Sequence, residues 1–225
     1  MEKSYERVVQ YVKDEILAGR LRPGDKLATE RVLAEQLSVS RNSVREGLRI
    51  LENIGVISSQ QGSGNYISLN FDETMSEVLS FMYFLKGMDE RQVTEFRWFI
   101  EREAMLLAVK RADRKQKQRM MIHLDGLEKA ITEENRVLHD KGIHRVLVEA
   151  SRNDFLITNY QALTNLMDRY ISSMRTRIIS GMQSRNKLEY AHRVLVEGVV
   201  ESDLEKGLTG LRDHFGYIEQ YKDLI

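Results

Sequence analysis

The sequence predicts a mainly α chain, with an N-terminal winged helix-turn-helix domain followed by an antiparallel all-helical bundle. Three observations predict this. Three short amphipathic helical runs precede two strand-like runs around a glycine-rich turn, all before residue 70. Beyond Asn70 the strand signals vanish and apolar residues recur at helical spacing. The 225 residues include a single proline, Pro23, and many Leu, Met, Glu, Arg and Lys, which favour helix.

The elements follow in order. Tyr5 to Leu17 places Val8, Val9, Val12, Ile16 and Leu17 at helical spacing, and Ala18-Gly19 ends that helix. Leu21-Arg22-Pro23-Gly24-Asp25 is a turn. Thr29 caps a second helix that runs through Leu37, with Val32, Leu33 and Leu37 on its inner face. Ser40 caps a third, Arg41–Asn53, whose Val44, Leu48 and Leu51 form one apolar face and which Gly55 stops. Val56–Ser59 and Asn65–Ser68 flank Gln61-Gly62-Ser63-Gly64, a hairpin signal whose tip would be the wing. An amphipathic helix at 72–86 serves as linker, and helical runs follow at 89–111, 113–132, 135–151, 153–180, 186–200 and 203–224. Gly87, Asp113, Glu133-Glu134, Ser151-Arg152, Gly181 and Ser202 mark the breaks. The expected organisation is residues 1–69 as the winged domain, 70–88 as linker and first bundle helix, and 89–225 as a helical ligand-binding, dimerising domain. The apolar stripes Val78, Phe81, Met82, Leu85 and Met105, Leu106, Leu107 read as core or dimer contacts.

Composition narrows the chemistry. The formal net charge is zero, so any nucleic-acid partner must be met by a local basic surface. Residues 37–49 offer one, with three arginines against one glutamate. The absence of cysteine excludes disulfides, thiolate zinc sites and cysteine nucleophiles. The polar start Met-Glu-Lys-Ser-Tyr-Glu-Arg shows no secretory signal, and no apolar run nears the roughly 20 residues that span a bilayer. A cytoplasmic location with no membrane partner is expected.

Two constellations carry chemistry. Arg41, Asn42 and Arg45 sit at the exposed start of the third helix, away from its apolar face. Arginine pairs with two guanine acceptors and asparagine with adenine, so such a helix end suits the major groove of double-stranded DNA. A surface helix with scattered charges is the alternative. In the bundle, Asp140 and His144 lie four residues apart and share a helix face, while His192 and His214 lie on the last two helices. Convergence of the four inside the bundle would give three imidazoles and a carboxylate, a donor set for zinc, nickel or a similar divalent transition metal. Taken singly, a helical histidine is more often a surface or satisfied core residue than a ligand. His123 and His139 read as ordinary, and His139 points about 100° away from Asp140. Arg97, one turn before Glu101, is either a buried clamp for an effector carboxylate or half of a surface ion pair.

With these motifs in order, residues 5–68 resemble the DNA-binding domain of the GntR family of bacterial transcription regulators. The resemblance rests on Ile16–Leu27, on Thr29-Glu30-Arg31-Val32-Leu33-Ala34, on Val39-Ser40-Arg41-Asn42-Ser43-Val44-Arg45-Glu46 and on the wing Gly62-Ser63-Gly64-Asn65-Tyr66-Ile67. The remainder resembles the FadR-like subfamily through Glu95–Glu101, Asp140-Lys141-Gly142-Ile143-His144, Ala150-Ser151-Arg152-Asn153 and the stretch from Tyr190-Ala191-His192 to His214. The resemblance implies that Arg31, Arg41 and Arg45 reach bases or adjacent phosphates, that Asn42 and Ser43 support them, and that Gly62 and Gly64 let the wing approach the minor groove. A surface pair with Glu35 is the other reading of Arg31. The resemblance also places His192 and His214 in register with the family's metal-binding pattern. It implies a homodimeric regulator, a repressor by the habit of the family, that is controlled by a small carboxylate and is not an enzyme. A helical metalloenzyme and a direct metal sensor are the alternatives. A di-iron oxidase needs two Glu-x-x-His motifs, and one is present, Glu189-Tyr190-Ala191-His192. The chain departs from the family at Ala28, at Ser38, where glycine is common, and at Gly47, where alanine is favoured at a cost of about 1 kcal/mol to the helix.

Overall fold

The computed structural model describes residues 3–69, 72–167 and 186–221. The chain divides into two compact units, Met1–Val78 and Leu79–Ile225. The first contains α1 (Ser4–Leu17), α2 (Glu30–Leu37), α3 (Arg41–Asn53), β1 (Ile57–Gln60) and β2 (Gly64–Ile67). The hydroxyls of Thr29 and Ser40 accept from the amides of Val32 and Ser43, which starts α2 and α3 where the sequence places their caps. The strands pair antiparallel from Ile57 against Ile67 to Gln60 against Gly64. Each strand lies one residue nearer the tip than expected, because the Ser63 amide donates to the Gln60 carbonyl and tightens the turn. Val8, Val12, Leu27, Leu33, Val44, Leu48, Leu51, Ile57 and Ile67 form the core.

Some expectations for this unit are corrected. Val32 is exposed, because the short helix α2 buries only Leu33. Leu17 is exposed too, since it ends α1 just before the chain turns at Gly19. Gly47 is more than a cost to α3. A Cβ there would sit 2.7 Å from Val8 Cβ and 3.0 Å from the Tyr5 carbonyl, so glycine lets α1 and α3 meet. Ser38, at the C-cap of α2, adopts the left-handed conformation with φ 51, where glycine carries no Cβ penalty.

Helix α4 (Asp72–Leu85) carries the boundary between the units. The second unit continues with α5 (Glu90–Arg111), α6 (Arg114–Lys129), α7 (Glu133–Ala150), α8 (Asp154–Met167), α9 (Asn186–Glu201) and α10 (Leu204–Tyr221). Residues 168–180 of the expected 153–180 helix, the break at Gly181 and residues 222–224 lie outside the described residues. Glu133-Glu134, expected as a break, are the first turn of α7. The Thr132 hydroxyl accepts from the Asn135 amide, and the two carboxylates suit the positive end of the helix dipole. Val78, Phe81, Met82 and Leu85 are exposed and form no part of this chain's core, whereas Met105 is fully buried and Leu106 and Leu107 are half-buried.

Contacts fix the helix directions. α6 and α7 run antiparallel, with Arg119 bonded to Glu149 and His123 to His139. α5, α7 and α9 run in one sense, as Glu101 meets His144 and Arg111 the Ser151 carbonyl, while Arg136 meets Glu189 and Asp140 meets His192. α9 and α10 are in backbone contact. A Cβ on Gly210 would fall 2.3 Å from the Leu195 nitrogen and 2.7 Å from the Ala191 carbonyl. That approach brings His192 and His214 together edge to face, with ring centroids 4.6 Å apart.

Candidate metal centre and nucleic-acid face

The bundle gathers His144, His192 and His214 at its centre, all buried, with a ring nitrogen of each within 4.8 Å of the others. His144 comes from α7, His192 from α9 and His214 from α10. Asp140, also buried, places Oδ2 3.3 Å from His192 Nε2 and Oδ1 3.7 Å from His144 Nε2. The structure thus brings together all four residues that the sequence singled out.

The outer partners set the tautomers. His144 Nδ1 donates to Glu101 Oε2 at 2.5 Å, and His192 Nδ1 donates to the Leu188 carbonyl at 2.8 Å. With both Nδ1 positions engaged, the Nε2 atoms of His144 and His192 face each other at 3.3 Å, and Asp140 Oδ2 lies equally near His192 Nε2. A cation between the two Nε2 atoms would use both as ligands. Two nitrogens about 2.0–2.1 Å from a common tetrahedral ion are separated by nearly that distance. His214 adds two buried ring nitrogens with no hydrogen-bond partner. Burial and the neighbouring His144 and His192 hold its pKa well below the usual histidine value, and burial likewise lowers His144 against the pull of Glu101. Neutral imidazoles with unused lone pairs beside a carboxylate are the donor set of a divalent transition-metal site.

Arg97 combines half of each expectation: it is buried, and it pairs with Glu101. Its Nε lies 2.5 Å from Glu101 Oε1, and both side chains are buried. Burial disfavours each charge, but each is outweighed by its partner, so Glu101 is held below and Arg97 above its ordinary value. Glu101 is the residue the sequence reading missed in this role. One of its oxygens holds Arg97 and the other orients His144, the arrangement that fixes a metal-ligating histidine. Buried Tyr160 lies beside the pair, its ionisation pushed up by burial. Arg97 also lies 5.2 Å over the Phe215 ring. His123 and His139 are not isolated either. Their Nδ1 atoms lie 3.3 Å apart, with each ring over a glycine of the opposite helix.

In the first unit, Arg41, Asn42 and Arg45 are exposed at the start of α3. Arg45 Nε donates to Glu30 Oε2 at 2.8 Å, which ties α3 to α2. Arg31 pairs with Glu35 at 3.0 Å and remains exposed. The Ser43 amide and hydroxyl are both engaged by Ser40 in the helix cap. At the wing, Gly62 and Gly64 take φ of 74 and 115, conformations open chiefly to glycine, and nothing crowds the Cβ direction of Gly62.

This helix-turn-helix with its wing, and the helical unit with its histidine cluster, each match a known family. The family described as bacterial regulatory proteins, gntR family, matches residues 4–67, and the FCD domain matches residues 92–217. The chain belongs to the GntR family, in the group that carries an FCD domain. It is therefore a DNA-binding transcription regulator rather than an enzyme. This GntR protein is 33% identical to the transcriptional regulator LutR of Bacillus subtilis over 61% of the chain and 64% of that regulator's length. It is 24% identical to the Glc operon transcriptional activator of Escherichia coli over 93% of the chain and 85% of that protein. The GntR structure from Streptococcus agalactiae shares the fold, with a TM-score of 0.62 at 21% identity, covering 96% of this chain and 99% of that one. Among the described residues, no helix is long and apolar enough to cross a membrane.

Proposed function

We propose that this GntR regulator binds a pseudo-palindromic operator as a homodimer and that a small carboxylate seated at a zinc or nickel ion controls that binding. Residues 1–69 would read the DNA, 70–88 would link, and 89–225 would bind metal and effector and dimerise. Arg31, Arg41 and Arg45 would contact bases or phosphates, supported by Asn42, Ser43 and the wing glycines Gly62 and Gly64. The direction of control proposed is repression relieved by the acid, as the family resemblance implies.

The observation that carries the effector half is the buried convergence of His144, His192 and His214, with the Nε2 atoms of the first two 3.3 Å apart beside Asp140. Asp140, His144, His192 and His214 would hold the ion. When bound, it would offer a Lewis-acidic seat for a carboxylate oxygen. Arg97, kept cationic by Glu101, would meet the other end of that carboxylate. Control then requires the acid to bind the DNA-free form more tightly than the DNA-bound form.

The test is a titration of a selected operator duplex by fluorescence anisotropy. Small carboxylates are expected to weaken operator binding by the zinc-loaded protein at least tenfold and to have no effect after chelation. An acid response that persists in chelator contradicts the reading. A response to zinc alone favours the metal-sensor alternative.

A further inference from the structure

We propose that Arg136 is a second anion-recognition group beside the histidine cluster, so that the preferred effector is a dicarboxylate. This rests on the reading of Asp140, His144, His192 and His214 as a metal site.

Arg136, Asp140 and His144 recur every four residues along α7 and occupy successive turns of one face. On α9, Glu189 precedes His192 by three residues and shares its face in the same way. Arg136 Nη1 donates to Glu189 Oε1 at 2.7 Å. This pair therefore forms the layer between α7 and α9 next to the one where Asp140 meets His192 at 3.3 Å. The Arg136 side chain is only 13% exposed. Its Nε is buried and has no hydrogen-bond partner. A guanidinium N–H left unmade inside a protein is costly, and a fixed donor in that state is a place for an acceptor. Glu189 uses one nitrogen of the fork and leaves Nε for a second carboxylate.

Adjacent helical turns are about 6 Å apart, a span that an extended diacid of roughly four or five carbons covers. One carboxylate would lie at the metal and the other on Arg136. A monocarboxylate would reach the metal and Arg97 but leave Arg136 as it is. Glu189 competes for Arg136, so it also sets how strongly the second carboxylate is held.

Isothermal titration of the zinc-loaded full chain with succinate and with acetate tests this. Succinate is expected to bind at least tenfold more tightly than acetate. Arg136→Met, which keeps the apolar stem, should weaken succinate at least tenfold and leave acetate unchanged. Arg136→Lys, which keeps the charge but lacks Nε, should do the same. Glu189→Gln should tighten succinate. Equal wild-type affinity for the two acids overturns the proposal, as does a loss in the Arg136 variants that is the same for both acids or absent for both. Failure of the wild-type chain to take up zinc refutes the metal reading instead, and the two failures are thereby distinguished.

Discussion

Arg45→Ala is expected to abolish sequence-specific operator binding while leaving the chain folded. Arg45 is exposed and pairs with Glu30 through Nε, which leaves the two Nη groups for a base edge. A bidentate arginine–guanine pair contributes about 1–3 kcal/mol of discrimination. The proposed homodimer would use it twice, so the expected loss is roughly thirtyfold to twenty-thousandfold in specific affinity. The side chain fills no part of the core of Val44, Leu48 and Leu51 on the opposite face of α3. The melting temperature should therefore stay within experimental error of the parent. Footprinting beside thermal melting checks both halves, and an unchanged footprint sinks the assignment of α3 as the reading helix.

His214→Leu separates the two readings of the histidine cluster by stability. His214 has both ring nitrogens buried without partners, packed against His144, His192 and Phe215. Replacing a buried unsatisfied polar group by an apolar one of similar size relieves a cost of about 1–3 kcal/mol. In chelator the variant should melt above the parent. With zinc the order should reverse, because only the parent gains the free energy of ligand binding to the native state. A variant less stable than the parent in chelator would mark His214 as an ordinary core histidine.

The first unit was open to reading because its signals are local. Thr29 and Ser40 cap the helices beside them, and the wing turn is written in Gly62 and Gly64. The start of α7 was misplaced because two glutamates look like a break until the Thr132 cap turns them into a first helical turn. The convergence of Asp140, His144, His192 and His214 was legible because the first two are one turn apart and the family resemblance puts the last two in register with them. Glu101 was not assigned its role, because Arg97-x-x-x-Glu101 has the same spacing as the exposed pair of Arg31 and Glu35. What separates them is the company on the helix face. Ile100, Ala104, Met105 and Ala108 surround Glu101, and an acid within such a stripe must find a buried partner. The pairing of His123 with His139 had a fainter signal, a His-x-x-Gly repeat on both helices. Its meaning depends on which helices pack together, and no local pattern states that.

His144, His192 and His214, with Asp140, are proposed to hold one ion. This is tested most directly by elemental analysis of freshly isolated protein beside the His192→Ala, His214→Ala double variant. One transition-metal ion per chain is expected in the parent and none in the variant. A stoichiometric ion retained by the variant, or none in the parent after incubation with zinc, would contradict this.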